Sequence, residues 1–156
     1  MSHEVVSILE NNWEVIRQEC EKVAAPSYTQ WPEHGIYRGQ WDVYGIYDLQ
    51  GNLIPAHAQE CPETTKILEK IPRLRTGGFS MLGAGAQIKP HVGYTDAVLR
   101  AHLGLIIPEG DCGLKVGDHT YRWTEGNAFV FDDRELHEAW NNTSGSRYIL
   151  LVDYFK

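Results

Sequence analysis

The C-terminal half of the chain is a succession of short segments of strand length, separated by turn residues. The clearest turns are Gly117-Asp118 and the polar run at 141–145. A series of short strands at this spacing is typical of a β-sandwich or a jelly-roll barrel, and it predicts a mainly β fold. The predicted strands cover residues 77–82, 98–107, 113–116, 119–123, 127–131, 138–141 and 147–154.

The N-terminal part of the chain has a different pattern. Between residues 4 and 24, apolar side chains recur every three or four positions, which predicts an amphipathic helix that ends before Pro26. A second helix is predicted to begin near Pro62 and to end at Pro72, because proline is tolerated in the first turn of a helix but not in its interior. A strand is predicted at 41–48.

The length of 156 residues is sufficient for one domain with a substantial core. We therefore expect residues 1–156 to form a single domain. Its helical and aromatic part, 1–75, is predicted to pack its helices on the barrel formed by 76–156.

The charge balance and the cysteines limit the partners and the compartment. The 14 basic and 21 acidic side chains give a net charge of −7, which argues against binding to nucleic acid or to an anionic membrane. Cys20, Cys61 and Cys112 are widely spaced and form no CxxC motif, so a reducing cytoplasm is expected. No signal peptide or membrane-spanning segment is expected.

Two polar residues stand on an otherwise apolar face of the predicted strand 98–107. With a period of two, Arg100 and His102 fall on the same side as Val98 and Ile106. If that side lines the interior of a barrel, these two groups need an anionic partner. Two interpretations follow: a pair of core residues satisfied by the protein itself, or a site for a bound carboxylate.

Two histidines and one arginine complete the candidate site. His91 and His137 each lie at one end of a strand-like segment, 46 positions apart, and imidazole is a good ligand for divalent iron. The usual iron triad adds a carboxylate in an HxD motif, but the corresponding position here is Gly93, so surface histidines remain an alternative on spacing alone. Arg147 opens the last apolar strand, where it can cap a sheet edge or bind a carboxylate through two hydrogen bonds.

Several motifs, taken together in their order and spacing, resemble the aspartyl/asparaginyl β-hydroxylase family from about Cys61 to the C-terminus. The resemblance implies a double-stranded β-helix (a cupin-like jelly roll) that couples iron(II), 2-oxoglutarate and dioxygen to hydroxylation. The matching residues are Ser80, Lys89-Pro90-His91-Val92-Gly93, the run 99–108, Phe131-Asp132-Asp133, His137-Glu138, Arg147 and Val152-Asp153.

The same resemblance implies a role for each site residue. His91 and His137 would be the metal ligands, because the family has glycine where other oxygenases carry the metal-binding carboxylate. Arg147 and Ser80 would bind the distal carboxylate of 2-oxoglutarate. Arg100 and His102 would lie near the end of 2-oxoglutarate that chelates iron, so they count with the two ligands as candidate catalytic residues.

The expected substrate is an aspartyl or asparaginyl residue, or a related acidic amino acid, as a small molecule, within a peptide or tethered to a carrier. Three alternatives stay open. A non-haem iron halogenase of the same fold is one, because a glycine in the carboxylate position leaves room for chloride. A cupin-like module that binds without turnover is the second. The third is a metal-free sandwich that binds sugars through the aromatic residues of 28–47.

Overall fold

A computed structural model describes residues 2–93 and 95–156. Its helices are α1 (Ser2–Asn11), α2 (Trp13–Lys22), α3 (Pro55–Glu60) and α4 (Pro62–Glu69). Its strands are β1 (Thr29–Gln30), β2 (Tyr37–Arg38), β3 (Trp41–Tyr47), β4 (Leu74–Leu82), β5 (Gln87–His91), β6 (Val98–Ile106), β7 (Cys112–Val116), β8 (His119–Tyr121), β9 (Ala128–Phe131), β10 (His137–Asn141) and β11 (Arg147–Phe155).

The strands form two sheets, and every strand-to-strand ladder in the described residues is antiparallel. The larger sheet has the order β1-β3-β4-β11-β6-β9, and the smaller one has the order β2-β5-β10-β7-β8. Connections that pass repeatedly from one sheet to the other are typical of a jelly roll. The predicted fold class, a mainly β jelly roll with helices packed on it, is confirmed.

The two faces of the larger sheet are buried in different ways. Its outer face packs against the helices, where Leu9, Ile16 and Leu68 meet Phe79 and Leu103 in one core. Its inner face contributes to a second core, shared with the smaller sheet, of Leu82, Leu114, Trp123, Phe131, Ile149 and Leu151. The alternation on β6 follows from this arrangement, because successive residues of a strand point to opposite faces.

The helical prediction at 4–24 was wrong in one respect. The helix is interrupted at Asn12, so that α1 and α2 are separate. The side-chain amide of Asn12 donates to the carbonyl of Ile8 at 2.7 Å, a local bond of the kind with which asparagine competes with helical backbone bonding. Helix α3 was also not predicted. Within the described residues, no helix has the length and apolar character needed to cross a membrane.

Helices α2 and α4 are joined by a buried carboxylate. Glu19 is 8% exposed, and its two carboxylate oxygens accept the backbone N–H groups of Glu63 and Thr64 at 3.0 and 2.7 Å. These donors belong to the first turn of α4, where backbone N–H groups have no partner within the helix. Glu19 therefore caps α4 from a neighbouring helix and favours the packing of both helices on the sheet.

Removal of this cap should weaken the helical layer. We expect Glu19→Ala to lower the free energy of unfolding by about 1–2 kcal/mol, because two buried N–H groups lose their acceptor. Glu21→Ala, an exposed change on the same helix, is the matched control and should leave stability within about 0.5 kcal/mol of the wild type. Chemical denaturation followed by circular dichroism measures both. Equal stability of the two variants would contradict the capping role.

Candidate active site

A pair of histidines lies at one edge of the smaller sheet. His91 ends β5, His137 begins β10, and the two residues are directly paired, with ring centroids 4.3 Å apart. The Nδ1 atom of His91 lies 2.7 Å from the carbonyl oxygen of Lys89, and that of His137 lies 2.7 Å from the carbonyl oxygen of Glu135. A carbonyl only accepts, so each Nδ1 carries the proton and each Nε2 keeps a lone pair for a metal.

Burial keeps His137 in its neutral form. It is 6% exposed, and desolvation lowers its pKa to about 4, with further lowering from the nearby His91 and Arg100. Neutral imidazole is the form that ligates a metal, and at neutral pH this side chain is therefore ready to do so.

Gly93 stands at the position where other iron sites carry a carboxylate. The space beside it is filled by the side chain of Asp133. A Cβ atom built on Gly93 would lie 2.5 Å from Oδ2 and 2.6 Å from Cγ of Asp133. The backbone N–H of Gly93 also donates to the carbonyl oxygen of Asp133 at 2.6 Å. The carboxylate of Asp133 thus takes the space that a side chain at position 93 would need, so any larger residue there would require that carboxylate to move.

Asp133 is a site residue that the sequence analysis missed. It is 6% exposed, its Oδ1 has no hydrogen-bond partner in the described residues, and burial raises the pKa of its carboxyl. Its nearest described cation is Arg100, at 3.8 Å. In the sequence, Asp133 belongs to the matching motif Phe131-Asp132-Asp133, directly after an apolar strand and four positions before His137, but no role in the site was predicted for it.

Arg100 has a carboxylate partner within the protein. Its Nε and NH2 groups donate to the two oxygens of Asp153 at 2.8 and 3.0 Å, and the two residues are paired across β6 and β11. Such a two-point contact fixes the guanidinium plane. The structure thus supplies an anion for Arg100 on the inner face of the sheet, as the first of the two interpretations expected.

His102 is neutral and oriented by an indole. It is 7% exposed, and its Nδ1 accepts the Nε1–H of Trp123 at 3.1 Å. Burial lowers its pKa well below the ordinary value, and the positive charges of Arg147 and Arg100 lower it further. Because Nδ1 accepts, the proton of the neutral ring is on Nε2, which can donate to an anionic ligand.

Arg147 is a buried cation without a carboxylate partner in the described residues. It is 2% exposed, and its NH2 group donates to Oγ and the carbonyl of Ser80 at 3.0 and 3.3 Å. Its Nε has no hydrogen-bond partner in the described part of the chain, and its guanidinium carbon lies 4.4 Å from the Trp123 ring centroid. Burial lowers its pKa only to about 10, so it stays charged at neutral pH.

Such an arginine is suited to a carboxylate ligand. A buried, unpaired charge is unfavourable, and a bound carboxylate would remove that cost through a charge-assisted contact. Ser80 can donate a hydrogen bond into the same cavity, because the indole N–H of Trp41 donates to its Oγ at 3.0 Å and leaves the hydroxyl proton available.

All six residues selected from the sequence line one cavity between the sheets, namely Ser80, His91, Arg100, His102, His137 and Arg147. Its volume is about 30 Å³, which is room for one or two waters. A five-carbon dicarboxylate therefore enters only if lining side chains move. No cluster of three or more His, Cys, Asp or Glu side chains with metal-site geometry occurs among residues 2–93 and 95–156.

The sequence matches known hydroxylases. The family model described as aspartyl/asparaginyl β-hydroxylase covers residues 10–156. The human aspartyl/asparaginyl β-hydroxylase is 34% identical over 158 residues, which is 96% of this chain and 21% of the relative. An ornithine lipid ester-linked acyl 2-hydroxylase from Rhizobium tropici is 43% identical over 98 residues, or 62% of this chain and 35% of that protein. The chain thus spans between a fifth and about a third of these relatives.

Solved structures share the fold at low sequence identity. A predicted oxalate decarboxylase from Thermotoga maritima aligns with a TM-score of 0.55 and 12% identity, over 83% of this chain and 93% of that one. A cupin 2 conserved barrel domain protein from Rhodopseudomonas palustris aligns with a TM-score of 0.51 and 10% identity, over 81% and 68% of the respective chains. These similarities support the cupin-type jelly roll.

Substitutions at positions 93 and 133 test whether side chains at the two positions compete for the same space. We expect Gly93→Asp to lower the free energy of unfolding by about 1–3 kcal/mol, because the new side chain overlaps the Asp133 carboxylate and adds a like charge. The double variant Gly93→Asp/Asp133→Gly should regain most of this loss, since one carboxylate then remains. Thermal and denaturant unfolding of both variants measures the coupling. Additive effects of the two changes would show that the side chains do not compete for this space.

Proposed function

Because the chain belongs to the aspartyl/asparaginyl β-hydroxylase family, we propose that it is an iron(II)- and 2-oxoglutarate-dependent dioxygenase that hydroxylates an unactivated carbon. One observation carries this proposal. The buried Arg147, without a carboxylate partner in the described residues, lines the same cavity as two histidines whose Nε2 atoms are left to bind a metal.

His91 and His137 would hold the iron, with their Nδ1 protons fixed on backbone carbonyls. Iron(II) with a 2-oxo acid and dioxygen supplies the oxidant for an unactivated C–H bond, and the protein supplies orientation and a dry environment. Arg147 and Ser80 would bind the distal carboxylate of 2-oxoglutarate. The Nε2–H of His102 would donate to the end of the same molecule that chelates iron.

Arg100 and Asp133 would supply one positive and one negative charge beside the iron held by the two histidines. Arg100, held by Asp153, would supply positive charge to the chelating end of the cosubstrate. Asp133 places a carboxylate where the missing third protein ligand would lie, and its Oδ1 can accept a hydrogen bond from water. Asp133 would thus replace part of the negative charge that an HxD carboxylate supplies in other iron sites.

The proposed substrate is an aspartyl or asparaginyl residue or a related acidic amino acid, free, within a peptide or tethered to a carrier, hydroxylated at the β-carbon. The family description supports this choice. Halogenation by the same fold is the less favoured candidate. Chloride on iron would need the space beside Gly93, and the carboxylate of Asp133 both fills that space and repels an anion.

Anaerobic titration with iron(II) and 2-oxoglutarate tests the cofactor assignment. The wild type should develop the weak visible charge-transfer band of the chelate, and His91→Ala and His137→Ala should each remove it. Arg147→Gln should raise the 2-oxoglutarate concentration needed for half of the band by about 10- to 100-fold, because a charged hydrogen-bonding partner is lost.

Arg122→Gln is the matched control. Arg122 is an exposed arginine paired with Asp111 on the outer side of the smaller sheet, and its loss should leave the titration unchanged. If correctly folded wild-type protein forms no band, the chain is a binding module rather than this oxygenase. If Arg147→Gln and Arg122→Gln titrate alike, the cosubstrate carboxylate lies elsewhere.

A further inference from the structure

A second cavity, of about 320 Å³, lies beside the site on the inner face of the larger sheet. Ser80 and Leu151 line both this cavity and the one that contains the histidine pair. The other walls include Trp31, Val43 and the two glycines Gly45 and Gly78. We call this cavity the glycine groove.

The groove exists because two paired residues lack side chains. Gly45 on β3 pairs with Gly78 on β4, Gly78 pairs with Leu151 on β11, and Leu151 pairs with His102 on β6. Directly paired residues point to the same face of a sheet, so these four positions form one row. The absence of side chains at the first two positions leaves a trough that leads towards Leu151 and His102.

The two glycines differ in whether the surrounding atoms leave room for a side chain. A Cβ atom on Gly78 would lie 2.5 Å from the carbonyl oxygen of Tyr44, so the sheet itself requires glycine there. A Cβ atom on Gly45 would meet Cδ1 of Ile54 at 3.6 Å and backbone atoms at 3.8 and 3.9 Å, which are ordinary contacts. Packing around the backbone therefore does not require glycine at position 45, and a larger side chain there would extend into the groove.

The lining has the chemistry of a hydrocarbon site. Apolar side chains from β3, β4 and β11, from the segment after β1 and from the loop after β3 form much of it, including Trp31, Val43, Leu49 and Ile54. The uncharged polar residues of the lining are Thr29, Gln30, Gln50, Thr76 and Ser80. Among the described lining residues the only charged one is Asp48, and its Oδ1 already accepts the backbone N–H groups of Gln50 and Asn52 at 2.9 Å each. A carboxylate would find no cation in this lining, whereas a methylene chain would exchange water for apolar surface.

We propose that the glycine groove binds an uncharged, unbranched aliphatic chain of the substrate, as in an acyl group. This inference rests on the proposed oxygenase function and refines its substrate, which would be an acylated amino-acid derivative rather than a bare acidic amino acid. The volume lies within the range of about 300–1,000 Å³ typical of small-molecule sites. The shared walls bring a chain in the groove to the cavity of the histidine pair.

Binding of octanamide to the full chain, without iron or 2-oxoglutarate, tests the proposal by calorimetry. Gly45→Leu should weaken octanamide binding at least tenfold, because the leucine fills the groove. Gly35→Leu is the control, since Gly35 is exposed and a Cβ atom there has nothing within 4 Å; its affinity should equal that of the wild type. Equal affinity of Gly45→Leu and Gly35→Leu would overturn the proposal.

A chain-length series in the wild type tests the same site without any substitution. Affinity should rise by about three- to fourfold per methylene from butanamide through hexanamide to octanamide. N-acetylaspartate amide, an acidic probe, should bind the metal-free protein weakly. Its affinity should be the same for the wild type and for Gly45→Leu. The proposal of an aliphatic occupant would be refuted if affinity did not change with the length of the amide. It would also be refuted if N-acetylaspartate amide bound and Gly45→Leu removed that binding.

The experiments distinguish a failure of the groove proposal from a failure of the oxygenase proposal. If the iron and 2-oxoglutarate chelate forms but the amides do not bind, the groove proposal is wrong and the oxygenase proposal stands. If the amides bind in the groove as expected but no chelate forms, the oxygenase proposal is wrong.

Discussion

The antiparallel pairing of β11 with β4 on one side and β6 on the other determines where the charges of the site lie. Pairing with β4 brings Arg147 to Leu82 and next to Ser80. Pairing with β6 brings Asp153 opposite Arg100. The opposite face of β11 is buried under the helices through Leu150 and Val152, so a slip of one residue would turn these side chains to the inner face and turn Arg147 towards the helices. The register of one strand thus couples the core to the site.

Two arginines on this framework, the partly buried Arg100 and the fully buried Arg147, differ in whether the protein supplies a carboxylate partner. Arg100 meets the carboxylate of Asp153 at hydrogen-bond distance, so the protein itself offsets much of its desolvation cost. Arg147 is more deeply buried, and among the described residues its hydrogen bonds go to Ser80 and its guanidinium lies over the ring of Trp123. A low-dielectric site strengthens any later contact with an anion, and the cost of leaving Arg147 unpaired is therefore a driving force for binding a carboxylate there.

The sequence predicted those features that depend on local periodicity. Alternation over 98–107 placed Arg100 and His102 on one face of the strand, and six of the seven strands predicted between residues 77 and 154 agree with the structure to within two residues at each end. Strand β4 begins three residues earlier than predicted, and β5 was not predicted. The break at Asn12, the contact of Asp133 with Gly93 and the pairing of Arg100 with Asp153 could not be derived in this way. Each depends on the conformation or position of one particular side chain, which the apolar pattern of the sequence does not encode.

Glycine serves this site in two physically different ways. Gly78 is required by the backbone of the neighbouring strand, whereas a side chain at Gly93 would have to displace the carboxylate of Asp133. A Cβ atom on Gly45 would make only ordinary contacts, so close packing does not account for a glycine that loses backbone entropy in a strand. The space left there is in register with His102 and shares Ser80 and Leu151 with the histidine cavity, which is the reason to assign it to a ligand.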